Sequence, residues 1–405
     1  MYAAAGWCAA VVAPRQGGNG HGPSFPVPRT DSSRHSRLTG AIGLTPAPAS
    51  TAAWQINSVA GDPTAQVGFN SVAASGADNA WAAGLTNCDA SCSTQTATVE
   101  QWNGRSWQPV TLPDNNLGGA GQLPVIGTSS ASNTWIFDSD INNIGYGVHV
   151  TDSGATETPL PASGGIQFSG AAVFSADDTW AFGIGGDFNL ATFSPYAAHF
   201  DGQAWTQLPI PLFPESVSAL SGNSLWVLGS PSALSIASEV AHWTGTGWST
   251  VPLPTGASLG LPADETLEPF GILGLSPQDV WITANISVGF GFGAGVLLLH
   301  WNGISWHAVD VPQATSFFDA DMASDGEGGF WVSGYGSGFT GPYLYHFGND
   351  HWTSQLAPTQ AGEPVLFGGL APIPGTTSLW GAATLLINLP DGTQGSQGAI
   401  YQYAP

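Results

Sequence analysis

Positive charge is almost absent from this sequence. The 405-residue chain has no lysine, and four of its five basic residues lie before residue 38 (Arg15, Arg29, Arg34 and Arg37). From residue 52 onward, 27 acidic residues are balanced only by Arg105. A surface of this charge repels phosphate backbones and anionic lipid headgroups. We therefore expect no nucleic-acid partner, and we expect no direct insertion into membranes.

Long apolar runs are also missing, and cysteine is scarce. No stretch of about 18 apolar residues occurs, which argues against a transmembrane helix. Of the three cysteines, Cys88 and Cys92 lie four residues apart in TNCDASCSTQ. A local disulfide suits a secreted protein, whereas the alternative, a zinc site, lacks a second pair of ligands nearby. We interpret Cys88 and Cys92 as a disulfide, and we expect the protein to be secreted or at the cell surface.

The composition divides the chain into two parts. Residues 1–51 are aperiodic and rich in Gly, Pro and Ser, which predicts a leader and linker, disordered or partly processed. The start of the chain is apolar but lacks the basic region of a signal peptide. Residues 52–405 hold most of the 17 tryptophans. With 55 Gly, 30 Pro and only 8% charged residues, the chain has the composition of a turn-rich all-β protein.

A pattern containing tryptophan recurs along residues 52–405. In each unit a turn of small residues precedes an apolar strand that opens on tryptophan, as in SADDTWAFG and SPQDVWITA. A second cassette downstream contains His or Gln and another Trp, and it ends in Pro, as in LHWNGISWHAVDVP. The first tryptophans of the units are Trp81, Trp135, Trp180, Trp226, Trp281, Trp331 and Trp380. Each unit predicts four short antiparallel strands, which we name a to d.

The two ends of the repeat complete each other. The segment AAWQINSVAG around Trp54 resembles the second half of a cassette, and the last unit stops at IYQYAP without that half. One terminus therefore supplies the strand that the other lacks. The repeat averages about 51 residues, near the length of a four-stranded propeller blade. The sequence predicts a seven-bladed β-propeller whose ring is closed by the N-terminal strand around Trp54.

These units resemble the repeat propellers of secreted bacterial proteins, with their DxWAVG and HWDGxxW cassettes. That group is loosely related to the Kelch, galactose-oxidase and sialidase-type propellers. The resemblance covers residues 52–405 and implies the fold. It implies little about function, because the matching residues belong to the blades themselves.

Residues that recur once per blade are interpreted as scaffold. His149, His199, His242, His300 and His346 occupy one position of strand c, where the other two units have Gln101 and Gln402. Ring symmetry keeps such residues far apart, so they cannot converge on one metal ion. We expect them to satisfy hydrogen bonds within each blade, and we expect the repeated tryptophans to pack between blades.

Function is expected on the face that carries the b–c and d–a loops, since loops of variable length on a rigid scaffold commonly bind ligands. Aromatic residues there could stack on a sugar or contact a protein, although they could equally pack onto the blade ends. The predicted ligand-binding residues are Tyr146, Asp187, Phe188, Phe193, Phe290, Phe292, Asp319, Asp321, Tyr335 and Phe339.

Asp319 and Asp321 stand out among the acidic residues. Aligning each strand a on the serine before the first tryptophan sets Asp319 beside Gly170 and Asp321 beside Ala172. The two carboxylates would then share one face of the innermost strand and point at the central channel. They could hold Ca²⁺, act as a catalytic acid and base, or be solvated caps of a strand end.

Three functions follow from these features. The first is a secreted, non-catalytic propeller, a monomer without cofactor, that binds a glycan or an extracellular protein on its loops. The second is a glycoside hydrolase or lyase that uses the channel-facing carboxylates Asp319 and Asp321. The third is a structural surface module without a specific ligand.

Overall fold

The computed structural model describes most of the chain after residue 52. The described residues are 53–87, 95–113, 123–140, 142–162, 164–188, 190–233, 235–288, 291–312, 314–316, 321–336 and 341–405, without the side chains of 291–294, 315–316 and 335–336. Cys88, Cys92, Phe290, Asp319 and Phe339 lie outside them, so the predicted disulfide stays a prediction. Residues 1–52, the predicted leader and linker with its boundary, also lie outside.

Twenty-nine strands in this part of the chain form seven sheets. The first strand, β1 (Ala53–Ala60), belongs to the last sheet. Blade I contains β2 (Val67–Gly76), β3 (Asn79–Asn87), β4 (Gln95–Trp102) and β5 (Trp107–Pro109); blade II contains β6 (Val125–Ser130), β7 (Asn133–Ser139), β8 (Gly145–Thr151) and β9 (Gly154–Pro159); blade III contains β10 (Gly165–Ser175), β11 (Asp178–Asp187), β12 (Thr192–Phe200) and β13 (Trp205–Gln207); blade IV contains β14 (Phe213–Ser221), β15 (Ser224–Ser230), β16 (Glu239–Trp243) and β17 (Trp248–Pro252).

The remaining blades follow the same plan. Blade V contains β18 (Glu265–Ser276), β19 (Asp279–Val288), β20 (Gly291–Trp301) and β21 (Trp306–Asp310); blade VI contains a split strand a, β22 (Ala314–Ser316) and β23 (Met322–Ser324), then β24 (Phe330–Gly336), β25 (Tyr343–Gly348) and β26 (His351–Leu356); blade VII contains β27 (Val365–Pro372), β28 (Leu379–Asn388) and β29 (Gln394–Ala404). Each sheet is an antiparallel meander in chain order, a to d. The only helical turns in the described residues are the 3₁₀ helices Pro63–Ala65 and Ala257–Leu259.

Blade VII confirms the predicted closure of the ring. Its strand order is β1-β29-β28-β27, so the N-terminal strand serves as strand d. The ladder pairs Trp54 with Tyr403 and Ala60 with Gly398. Strand a of blade VII also packs on strand a of blade I. The seven-bladed β-propeller predicted from the repeat is therefore confirmed.

The hydrophobic core lies between the blades. Seven clusters of buried residues each join two neighbouring blades, and they follow one another around the ring. In the cluster between blades I and II, Trp81 is 1% exposed and packs with Ile126 and Ile136. A tryptophan buried in this way removes about 150–250 Å² from water, worth roughly 4–6 kcal/mol as an upper bound. The repeated tryptophans thus hold blade to blade, as predicted.

The c–d turns show how local sequence produces the blade geometry. In blade V, Asn302 Oδ1 accepts hydrogen bonds from the backbone N–H groups of Ile304 and Ser305, both at 3.0 Å. Gly303 has φ +88°, and a Cβ there would lie 3.1 Å from the side chain of Gln278 in the a–b turn. The Asn-Gly pair therefore makes a tight turn that packs closely on its neighbouring turn.

No helix in the part of the chain that the structure describes is long and apolar enough to cross a membrane.

Candidate functional site

The meander gives the ring two different faces. The a–b and c–d turns lie together on one face, which we call the hairpin face, and the b–c and d–a loops lie on the other, which we call the loop face. The hairpin face is built from short turns, and Arg105 lies there in the c–d turn of blade I. Among the described residues, the predicted ligand-binding residues Tyr146, Asp187, Phe188 and Phe193 lie at b–c corners on the loop face.

The strand-c histidines are held inside their blades. His300 Nε2 lies 2.9 Å from Asp279 Oδ1, and the Nε1–H of Trp281 donates to the same oxygen at 2.7 Å. The rings of Trp281 and His300 stack with centroids 4.0 Å apart. Equivalent pairs of histidine and polar partner occur in four other blades: His149 with Asn133, His199 with Asp178, His242 with Ser224, and His346 with Asp325. These contacts support the scaffold interpretation.

The alignment that placed Asp321 beside Ala172 is wrong by two residues. The strand register sets Ala323, not Asp321, opposite the first tryptophan of blade VI, Trp331. The error arises from turn length: Ser324 pairs with Phe330 across a five-residue turn, whereas the usual a–b turn holds two residues. Counting back from the serine therefore misplaces strand a of this blade.

By register, Asp321 matches Ser71 and Ser216, which accept hydrogen bonds from the next blade. Ser71 Oγ accepts from the N–H of Ile126, and Ser216 Oγ accepts from the N–H of Ile272, both at 3.2 Å. Asp321 Oδ2 likewise accepts from the N–H of Leu370 in blade VII at 3.0 Å.

Both oxygens of the Asp321 carboxyl are engaged, since Oδ1 accepts from the N–H of Met322 at 2.9 Å. Burial raises the pKa of Asp321 to about 6, because the desolvation of the carboxyl outweighs the two hydrogen bonds, which lower the pKa. The Asp321 carboxyl therefore accepts a hydrogen bond that links the innermost strands of blades VI and VII. Its predicted role with Asp319 as catalytic pair or Ca²⁺ ligand stays a prediction, because Asp319 lies outside the described residues. Among those residues, no group of three or more His, Cys, Asp or Glu could hold a metal ion.

Tyr146 lies within the blades. It is 4% exposed and packs in the cluster between blades I and II. Its cross-strand partner is Asp138, which is 2% exposed. Asp138 Oδ1 accepts from the N–H of Ser139 at 2.7 Å, and the buried Tyr146 hydroxyl is the second group that stabilises the Asp138 carboxylate. Burial raises the pKa of Asp138 to about 7.

Asp187, Phe188 and Phe193 form the b–c corner of blade III. Asp187 is exposed, and its Oδ1 accepts from the N–H of Leu190 at 3.1 Å. Phe188 and Phe193 are half-buried and contact each other edge to face at 5.4 Å. The structure brings these three predicted residues together. Phe292 and Tyr335 are described by backbone only, in β20 and β24.

Glu215 is a second acidic residue whose pKa is raised to about 7. It is the bulge residue of β14, an innermost strand, between Pro214 and Ser216. The residue is exposed, yet the protein atoms around its carboxyl raise its pKa to about 7 by desolvation.

Exposed aliphatic side chains on the loop face were missed from sequence. Ile144, Leu190, Ile236 and Val288 are 57%, 73%, 49% and 45% exposed. They occupy the b–c corners of four consecutive blades, II to V. We call these four residues the aliphatic arc. Their shared position at the end of strand b or in the b–c loop of the repeat was the available signal.

A groove with a volume of about 430 Å³ lies beside the arc, between blades IV and V. Three segments line it: the b–c loop of blade IV (236–238), the d–a loop (253–257 and 261–263) and the start of β18 (265–267 and 269). Its walls are mainly apolar, and Glu265 is the acidic residue among them.

Comparison with solved structures agrees with the fold. No protein-family model matches the sequence, and no characterised protein matches it significantly. The structure of YCF48 bound to D1 peptide is similar over 90% of this chain and 100% of that one, with 13% identity and a TM-score of 0.54. The β-propeller domain of the Trilobed protease from Pyrococcus furiosus is similar over 83% and 94%, with 7% identity and a TM-score of 0.50. At these identities the similarity shows a shared propeller fold.

Proposed function

We propose that this protein is a non-catalytic propeller that binds a polypeptide on its loop face. The observation that carries the proposal is the aliphatic arc. Of six exposed large hydrophobic side chains in the described residues, the four of the arc and Leu356 lie on the loop face, and Ile304 lies on the hairpin face. Single exposed apolar residues are ordinary, so the proposal depends on the shared position of these four at the b–c corners of consecutive blades.

A polypeptide is favoured over a glycan by the kind of side chain exposed. The arc is aliphatic, and aliphatic groups pack on the apolar side chains of a partner. Sugar rings are better matched by open aromatic faces, whereas Tyr146 is buried and Phe188 and Phe193 are half-buried. The similar structure of YCF48 contains a bound peptide, which supports the same choice.

The experiment compares two libraries and one set of matched variants. The purified protein is panned against a random peptide library displayed on phage and is applied in parallel to a glycan array. One variant changes the arc (Ile144→Ser, Leu190→Ser, Ile236→Ser and Val288→Ser), and the control changes Ile304→Ser on the hairpin face. We expect peptides to be enriched by the parent and the control and lost by the arc variant. Glycan retention without peptide enrichment would contradict the proposal.

The two other functions considered, an enzyme and a structural module, predict different results in the same experiment. A hydrolase or lyase using Asp319 and Asp321 predicts release of sugar from a retained glycan, and that release disappears in the variant Asp321→Asn. A structural module predicts that neither library is retained. Secretion and the disulfide between Cys88 and Cys92 remain predictions, testable by localisation and by thiol titration.

A further inference from the structure

We infer that the groove between blades IV and V receives a basic, aliphatic-rich segment of the partner, and that Glu265 pairs with a cationic group of that segment. This inference rests on the proposed function and adds the chemical class of the ligand. The occupant is a polypeptide that presents an aliphatic side chain next to a lysine, an arginine or a free amino group.

The walls of the groove suit an aliphatic side chain. Leu253 is 9% exposed and belongs to the core between blades IV and V, and Leu261 and Leu267 pack against the same core. Ile236, a member of the aliphatic arc, stands at the edge of the groove and is 49% exposed. An apolar side chain of the partner would continue this core and remove Ile236 from water, which is favourable.

Glu265 is the acidic side chain in the wall of the groove. It lines the groove, and its Oε2 is buried without a hydrogen-bond partner. Glu268, on the same strand, is different, because its Oε1 accepts from Ser287 Oγ at 2.7 Å. An acidic side chain in the wall of a mainly apolar groove favours a cationic group in the segment that binds there.

The same pairing of aliphatic and acidic groups occurs elsewhere along the arc. Asp140 Oδ1 accepts from the N–H of Ile144 at 2.8 Å, and Asp187 Oδ1 accepts from the N–H of Leu190 at 3.1 Å. In the ladder of β18 and β19, Glu265 is the Cα partner of Val288. Three corners of the arc therefore place a carboxylate beside an exposed aliphatic side chain.

No basic residue of the propeller competes for these carboxylates. The chain has no lysine, and the one arginine after residue 37 is Arg105, in a turn of the hairpin face. The charge is complementary to a basic partner, and such complementarity speeds association and excludes acidic partners.

The test uses three sets of short synthetic peptides labelled with fluorescein, and it measures binding by fluorescence anisotropy. The first set alternates leucine and lysine, the second leucine and glutamine, and the third serine and lysine. The protein variants are Glu265→Gln, which is nearly isosteric, and Asp264→Asn as a matched control. Asp264 is exposed, adjacent to Glu265 in sequence and outside the groove lining. Each variant removes one negative charge, so the two differ only in where the charge is lost.

We expect the leucine–lysine set to bind most tightly. Glu265→Gln should weaken that binding about tenfold or more, and Asp264→Asn should change it less than about twofold. Binding should also fall at high salt, with a smaller loss for Glu265→Gln than for the parent. Ile236→Ser, at an exposed position, should weaken both leucine-containing sets while leaving the thermal unfolding temperature unchanged.

Other outcomes separate the two proposals. If the leucine–glutamine set binds the parent as tightly as the leucine–lysine set, the inference about charge is overturned and the proposed function stands. If Asp264→Asn weakens binding as much as Glu265→Gln, the attraction is general and the groove is not the site. If no peptide set binds and the phage library is not enriched, the proposed function itself fails.

Discussion

Replacing the buried Asp138 with asparagine is expected to stabilise the protein at neutral and alkaline pH. Asp138 is 2% exposed, and the loss of water around its carboxylate outweighs the stabilising contacts with the Ser139 N–H and the Tyr146 hydroxyl. Burial raises its pKa from an ordinary 3.8 to about 7. At 1.36 kcal/mol for each pKa unit, the ionised form is disfavoured in the folded protein by roughly 4 kcal/mol. Asparagine keeps an oxygen that can accept from the N–H of Ser139.

The direction with pH follows from proton binding. The folded protein holds the Asp138 proton up to about pH 7, whereas the unfolded chain releases it near pH 4. Between these values unfolding releases a proton, so stability falls as the pH rises. Below about pH 4 the carboxyl is protonated in both states, and above about pH 7 the penalty is complete. The gain from Asp138→Asn should therefore be near zero in acid and reach up to about 4 kcal/mol in alkali.

The assay is urea unfolding followed by tryptophan fluorescence, for parent and variant, across this pH range. Glu215 and Asp321 also have raised pKa values, about 7 and about 6, and they lower the stability of both proteins as the pH rises. The difference in stability between parent and variant therefore reports on Asp138. Asp152→Asn, at an exposed turn of the same blade, is the matched control. A gain that does not grow with pH, or a variant less stable than the parent at alkaline pH, would refute the reasoning.

Two further predictions concern the scaffold, and both are measured by the urea midpoint. Asp321→Ala leaves the N–H of Leu370 without its acceptor and should lower the free energy of unfolding by about 1–2 kcal/mol. Asp321→Ser should recover part of this loss, because Ser71 and Ser216 accept the equivalent hydrogen bonds in other blades. Equal stability of the two variants would exclude the hydrogen bond as the cause. His346→Ala leaves the oxygen of Asp325, 2.8 Å from the imidazole, without its partner and should cost about 2 kcal/mol. His351→Ala, at an exposed position of the same blade, should cost much less, and a similar loss in both would count against the scaffold role.

The predictions made from sequence succeeded where the repeat constrains them. A residue that recurs once per blade meets the same neighbours in every blade, so His300 beside Trp281 represents its four counterparts. The same logic predicted that the strand around Trp54 completes blade VII. Alignment failed in blade VI, where the a–b turn after Ser324 is longer and shifts Asp321 relative to the other blades.

The loop-face residues were harder to interpret because their environment comes from neighbouring blades. Tyr146 resembles an accessible loop aromatic in sequence, yet the cluster it joins is shared with blade I. Ile236 and Val288 look like ordinary apolar residues, and their exposure appears only once the corners are placed on one face. Side-chain direction at the end of a strand depends on packing between blades, which periodicity does not describe.

The sequence by itself determined the repeat, the number of blades, the closure of the ring and the negative charge of the propeller. These properties depend on contacts within a unit or on composition, and both are written along the chain. The tertiary structure alone decided which carboxylates are buried, where an innermost strand shifts its register, and where the groove beside Glu265 opens. Those properties arise where two blades meet, because they depend on contacts between residues that are far apart in sequence. Such contacts form only in the folded chain.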